Sequence, residues 1–152
     1  MTVHEDADLN AADVAWDLDP LVGGAGQEGV VQLLEQAEVL TGQLEQWRGR
    51  IGELEATELA LAMSTLSEIQ DRLGRAGSWV SLRFSVDTSD PARGAAMQKF
   101  QEQATELSTR LIFLELEWAE VPEAKASVLL ESAELDFCRY YLESARRYRP
   151  HL

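Results

Sequence analysis

Asp87-Thr88-Ser89-Asp90-Pro91 interrupts two long apolar stripes. An aspartate directly before proline fits the cap and first residue of a helix: the carboxylate accepts first-turn amides, and proline has none to leave unpaired. A helix therefore starts at Pro91. Its stripe, Ala96, Phe100, Ala104, Leu107, Leu111, Leu114, Trp118 and Val121, continues to Pro122. About 30 residues at 1.5 Å each make a rod about 45 Å long. Upstream, Leu59, Ala62, Leu66, Ile69, Leu73, Ala76 and Val80 step by three or four and predict a helix over 58–85, with Thr57 as its cap. Gly74 and Gly77 sit inside it, where a glycine allows either a close approach or a bend.

Further towards the N-terminus, Val30, Ala37, Leu44 and Ile51 alternate with Leu33, Leu40, Trp47 and Leu54 in two series seven apart. This predicts a helix over 28–48, with Gly49 and Gly52 turning the chain beyond it. After Pro122 come a short helix over 123–131 and another from Ser132 to Tyr148, with Leu135, Cys138, Leu142 and Ala145 on one side and Pro150 as the stop. No segment alternates with the period of a strand, and nothing repeats at a solenoid period. The expected fold is all-α: an antiparallel bundle of three long helices with short C-terminal helices packed across it.

The 152 residues, 45% hydrophobic, suffice for one domain with a real core. Thirteen Lys and Arg against 27 Asp and Glu give a charge of −14, which disfavours nucleic acid and anionic lipid as partners. The lone Cys138 cannot form an internal disulfide and suits a reducing compartment, so a cytoplasmic location is expected. The start of the chain lacks the basic and apolar regions of a signal peptide, and no apolar run is long enough to span a membrane. Residues 1–20 carry six acids and no Lys or Arg. They are expected to be an acidic mobile tail, with the domain over 21–152.

Catalytic chemistry is sparse. The two histidines, His4 and His151, stand near the chain ends, so no helix presents paired imidazoles and no cofactor is expected in this chain. Gly24-Ala25-Gly26-Gln27-Glu28-Gly29 satisfies GxGxxG, but no buried strand precedes it, so it reads as a flexible linker opening a helix. Glu115 and Glu117 are two apart, about 200° around a helix, which prevents an adjacent acid–base pair and points to a solvated face. Trp47, Trp79, Trp118, Tyr140, Tyr141 and Tyr148 have faces able to stack on a ligand, yet Trp47 and Trp118 fall on core stripes. Cys138 is also placed in the core. The basic run Arg146-Arg147-Tyr148-Arg149-Pro150 offsets the dipole of its own helix.

Several stretches together carry a family resemblance: Trp16-Asp17-Leu18-Asp19-Pro20-Leu21, Trp47-Arg48-Gly49-Arg50, and Ser81-Leu82-Arg83-Phe84-Ser85-Val86 running into Asp87-Thr88-Ser89-Asp90-Pro91. Phe113 to Trp118, Tyr140-Tyr141-Leu142-Glu143 and Arg146 to Leu152 continue it in the same order. The chain resembles the N-terminal region of oligoendopeptidase F and its relatives, zinc metallopeptidases of the thimet oligopeptidase type. The resemblance implies a noncatalytic helical domain that helps to wall a substrate channel. Its implied partners are the catalytic domain of the same polypeptide and short peptide substrates. The implied zinc sits on a His-Glu-x-x-His helix of that later domain, so the 152-residue chain alone is expected to be inactive. Within the chain, Arg83, Asp87 and Asp90 are the candidate channel or interface residues. Asp90 also serves as a cap and Asp87 in a turn, with Arg83 paired to one of them. The competing expectation is a stand-alone helical interaction module without peptidase activity.

Overall fold

A computed structural model describes residues 16–147. Three long helices run up, down and up: α1 Gly26–Leu44, α2 Ala56–Val86 and α3 Pro91–Glu120. Two short ones follow, α4 Glu123–Leu130 and α5 Arg139–Arg147. No strand occurs among the described residues. The fold is all-α, and the long helices pack as the sequence periods require.

The apolar stripes become two cores. The larger joins the C-terminal part of α1, the N-terminal part of α2, the C-terminal half of α3 and both short helices, around Leu44, Leu59, Ile69, Leu114, Trp118 and Leu142. The smaller lies at the opposite end, where Val22, Val30, Leu33, Leu34, Ala76, Trp79 and Val80 meet. Fully burying an aliphatic side chain contributes about 1.5–3 kcal/mol, so the first core dominates stability. Within α3 the buried residues all lie from Leu107 onward, which leaves its N-terminal half only partly covered.

Asp90 caps α3 as expected, accepting the Ala92 N–H at 2.8 Å, with Pro91 in the first position. Thr57 does not cap α2. That helix starts at Ala56, the Glu58 carboxylate accepts the Glu55 N–H at 3.2 Å, and the Thr57 hydroxyl instead reaches Glu134. Gly77 is a close approach rather than a bend: a Cβ there would stand 2.8 Å from Phe100 Cζ, whereas one at Gly74 meets nothing.

The first helix ends at Leu44, four residues before the expected boundary, in a 3-10 turn over Glu45–Trp47. Gly49, at φ +79, reverses the chain, and Ile51 and Leu54 still reach the core from beyond the helix. The single helix expected from Ser132 to Tyr148 is divided into a 3-10 turn, Ala133–Leu135, and α5. Arg139 holds the division open by donating to the carbonyls of Leu130 at 2.7 Å and Ser132 at 3.2 Å. Leu135, Cys138 and Leu142 are nevertheless buried together, because the turn preserves their common side.

Glu115 and Glu117 are not merely a solvated face. Glu117 accepts the N–H groups of Gly49 at 2.7 Å and Ile51 at 3.2 Å, and Glu115 accepts the Tyr141 hydroxyl at 2.6 Å. Arg146 also serves another helix than expected, donating to the Trp118 and Val121 carbonyls, both at 2.9 Å, at the end of α3.

Residues 1–15 of the expected tail, with His4, and residues 148–152, with Tyr148, Arg149, Pro150 and His151, lie outside the described residues. The remainder of the tail is structured in part: Asp19–Val22 form a 3-10 turn, which Arg75 ties to α2 through the Leu21 carbonyl at 2.9 Å. The GxGxxG stretch is likewise no simple linker. Gly26 already begins α1, and Gly29 is buried against Val22.

Candidate functional site

The three polar residues singled out near the α2–α3 turn are only partly brought together. Arg83 and Asp90 line a hollow of about 510 Å³ between that turn and the start of α1, while Asp87 lies outside its lining. Asp87 is engaged locally: its carboxylate accepts the Ser89 hydroxyl at 2.7 Å and the Ser89 N–H at 3.1 Å. These bonds hold its carboxyl below the usual aspartate value, the hydroxyl contributing most.

Arg83 pairs with neither aspartate. Its guanidinium stacks over the Trp79 ring at 4.7 Å, one helical turn back along α2. Asp90 is taken instead by Arg93, whose Nε lies 3.2 Å from Asp90 Oδ2, and Arg93 also donates to the Arg83 carbonyl at 2.8 Å. The reason is placement: Asp90 and Arg93 stand three apart across the first turn of α3, whereas Arg83 belongs to the helix before the turn.

Gly26, Gln27, Trp79 and Arg93 also line the hollow; the sequence marked Trp79 only as a ring able to stack on a ligand and Gly26 and Gln27 only within the GxGxxG stretch, and it did not mark Arg93. Trp79–Arg83 and Asp90–Arg93 each have helical-neighbour spacing, a signal that could have found two of them. Gly26 and Gln27 carry no such signal, because the approach of α1 to the turn is a tertiary event. The walls otherwise consist of Val80, Ala92 and Ala96.

A second surface lies on α3. Ile112 and Leu116, one turn apart, are 50% and 44% exposed, beside a groove that Leu73, Leu111 and Tyr141 line. Tyr141 is held there by Glu115, and burial together with that carboxylate pushes its phenol well above the ordinary value. Cys138 offers no nucleophile: its thiol is buried, and burial raises its pKa.

Among the described residues no three of His, Cys, Asp or Glu are grouped so as to hold a metal ion. The zinc that the family resemblance implies therefore has no fitting ligand set within residues 16–147. No helix among them is long and apolar enough to cross a membrane. Set against known proteins, the chain matches no protein-family model, no curated protein and no solved structure.

Proposed function

We propose that this chain is a noncatalytic helical interaction module that works by packing the exposed face of α3 against another protein. The observation that carries this reading is the pair Ile112 and Leu116, apolar and about half exposed on a helix whose opposite side already fills the core. Burying such a pair contributes useful association energy, and the fixed Glu115–Tyr141 contact beside it supplies a rigid polar margin.

The stretch from Ser81 to Pro91 favours a specific partner. In that second reading the partner is the catalytic body of a zinc oligoendopeptidase, and this domain walls the channel through which short peptides reach the metal. The zinc and its water-activating glutamate belong to that body.

Incubating the purified chain with zinc and a quenched fluorescent peptide tests the noncatalytic part; no cleavage is expected, and chelator-sensitive cleavage would overturn it. Reading the source gene past the codon for Leu152 separates the two partners. An in-frame His-Glu-x-x-His several hundred codons on supports the oligopeptidase, and an immediate stop supports the separate module. With either partner, the double variant Ile112→Asp, Leu116→Asp should keep the Tm of the isolated chain and weaken association at least tenfold, by roughly 1.4 kcal/mol or more. Unchanged association would remove α3 from the interface.

A further inference from the structure

Trp79, which lines the hollow beside the α2–α3 turn, carries an indole N–H that the fold leaves unanswered. Trp79 is 5% exposed, yet its buried Nε1–H has no acceptor. Trp118 shows the usual arrangement, its indole N–H donating to the Leu142 carbonyl at 2.8 Å. An unpaired buried donor is unfavourable, so the Trp79 edge is a place where a bound acceptor has something to gain. That edge faces the start of α1: Trp79 Cζ2 is 4.0 Å from where a Cβ on Gly26 would stand.

Gly26 and Gln27 are the first residues of a 19-residue helix, and no side chain caps it. Their amides present the positive end of the helix dipole to the same space. The Arg83 guanidinium, stacked on Trp79, has no carboxylate partner among the described residues. The charge of Arg93 is already matched by Asp90, although its buried Nε makes no hydrogen bond. The hollow thus holds one unmatched cation, in a chain whose overall charge is −14.

We propose that this hollow binds a carboxylate carried on an apolar group, the chemistry shared by the C-terminal residue of a peptide and by a small organic acid. A single unmatched guanidinium suits a monoanion better than a phosphate dianion, and its planar fork suits a carboxylate. The carboxylate answers Arg83 and the first amides of α1, and the apolar part lies against Val80, Ala92 and Ala96. The site lies away from Ile112 and Leu116, so it stands or falls independently of the α3 interface.

The test follows the indole N–H resonance of Trp79 in the full chain, assigned with Trp79→Phe, during titration with four probes. These are N-acetyl-leucine, N-acetyl-leucinamide, inorganic phosphate and the peptide N-acetyl-Ala-Ala-Leu with a free C-terminus. N-acetyl-leucine should move the resonance, and the neutral amide should bind at least tenfold more weakly. Arg83→Gln should weaken binding at least tenfold without lowering Tm, and Arg83→Lys, which keeps charge but not the fork, should lose less. Tighter binding of the peptide than of N-acetyl-leucine identifies a chain end as the source, and weaker binding identifies a small acid; either supports the site. An unmoved Trp79 resonance, equal binding of acid and amide, or phosphate binding as tightly as N-acetyl-leucine would overturn the proposal.

Discussion

A Cβ on Gly29 would lie 2.2 Å from the Val22 carbonyl oxygen, so the Asp19–Val22 turn rests directly on the first turns of α1. The atom in the way is backbone and cannot rotate aside. Gly29→Ala should therefore cost about 1–3 kcal/mol through overpacking, despite alanine's better helix propensity. Gly74→Ala, facing open space inside α2, should instead gain about 0.5–1 kcal/mol. Urea unfolding of the two variants gives both signs, and a Gly29→Ala protein as stable as the parent would contradict this contact.

Glu117 joins α3 to the loop between α1 and α2 through two backbone amides. Removing it leaves the Gly49 and Ile51 N–H groups without that acceptor. Glu117→Ala should lose about 1–3 kcal/mol, and Glu117→Gln less, since one acceptor oxygen remains. Amide hydrogen exchange at Gly49 and Ile51 should accelerate ahead of the rest of the chain. Unchanged exchange there would mean that the carboxylate does not hold the loop.

Glu45 supplies a pH dependence. The Arg110 hydrogen bond, followed in smaller part by its charge and by Arg48, holds the Glu45 carboxyl below its ordinary value. Arg110 bridges Glu45, at 2.8 Å, and Glu38, at 2.5 Å, which ties α3 to the end of α1. With the folded pKa depressed, this contribution is present above the unfolded carboxylate pKa and is lost as pH falls through the folded value. Arg110→Gln should raise the Glu45 titration midpoint towards the ordinary value and shrink the stability lost between neutral pH and about pH 3. The pair is solvent-screened, so the effect is modest; a Glu45 midpoint indifferent to Arg110→Gln would exclude the coupling.

Cys138 packs in the larger core, with its Sγ 3.5 Å from the Leu135 carbonyl. Burial raises the thiol pKa, so little thiolate is present at neutral pH, and the side chain is largely closed to reagent. Disulfide reagents should label the folded chain roughly tenfold or more slowly than the urea-unfolded chain, at a rate set by opening. Labelling at the unfolded rate would place the thiol on the surface.

The helices were legible in the sequence because helical periodicity is a property of consecutive residues. Asp90-Pro91 marks the start of α3 by local chemistry alone, and the Leu59 to Val80 stripe fixes the buried side of α2 whatever packs on it. The candidate site was half legible for the same reason: Arg83 and Asp90 stand out where polar residues crowd a helix junction. Their partners did not. Whether Arg83 meets an aspartate or the Trp79 ring depends on where α3 departs from the turn, and Gly26 and Gln27 enter only because α1 packs alongside. Glu117 looked solvated because the amides it serves lie 66 and 68 residues away. Arg139 divided an apparently continuous helix by reaching carbonyls behind it. The sequence by itself determined which segments are helical and which of their sides are apolar, since both follow from local spacing. Only the tertiary structure decided which polar groups find one another and which donors, Trp79 Nε1 among them, are left unmatched, since those outcomes depend on which helices become neighbours.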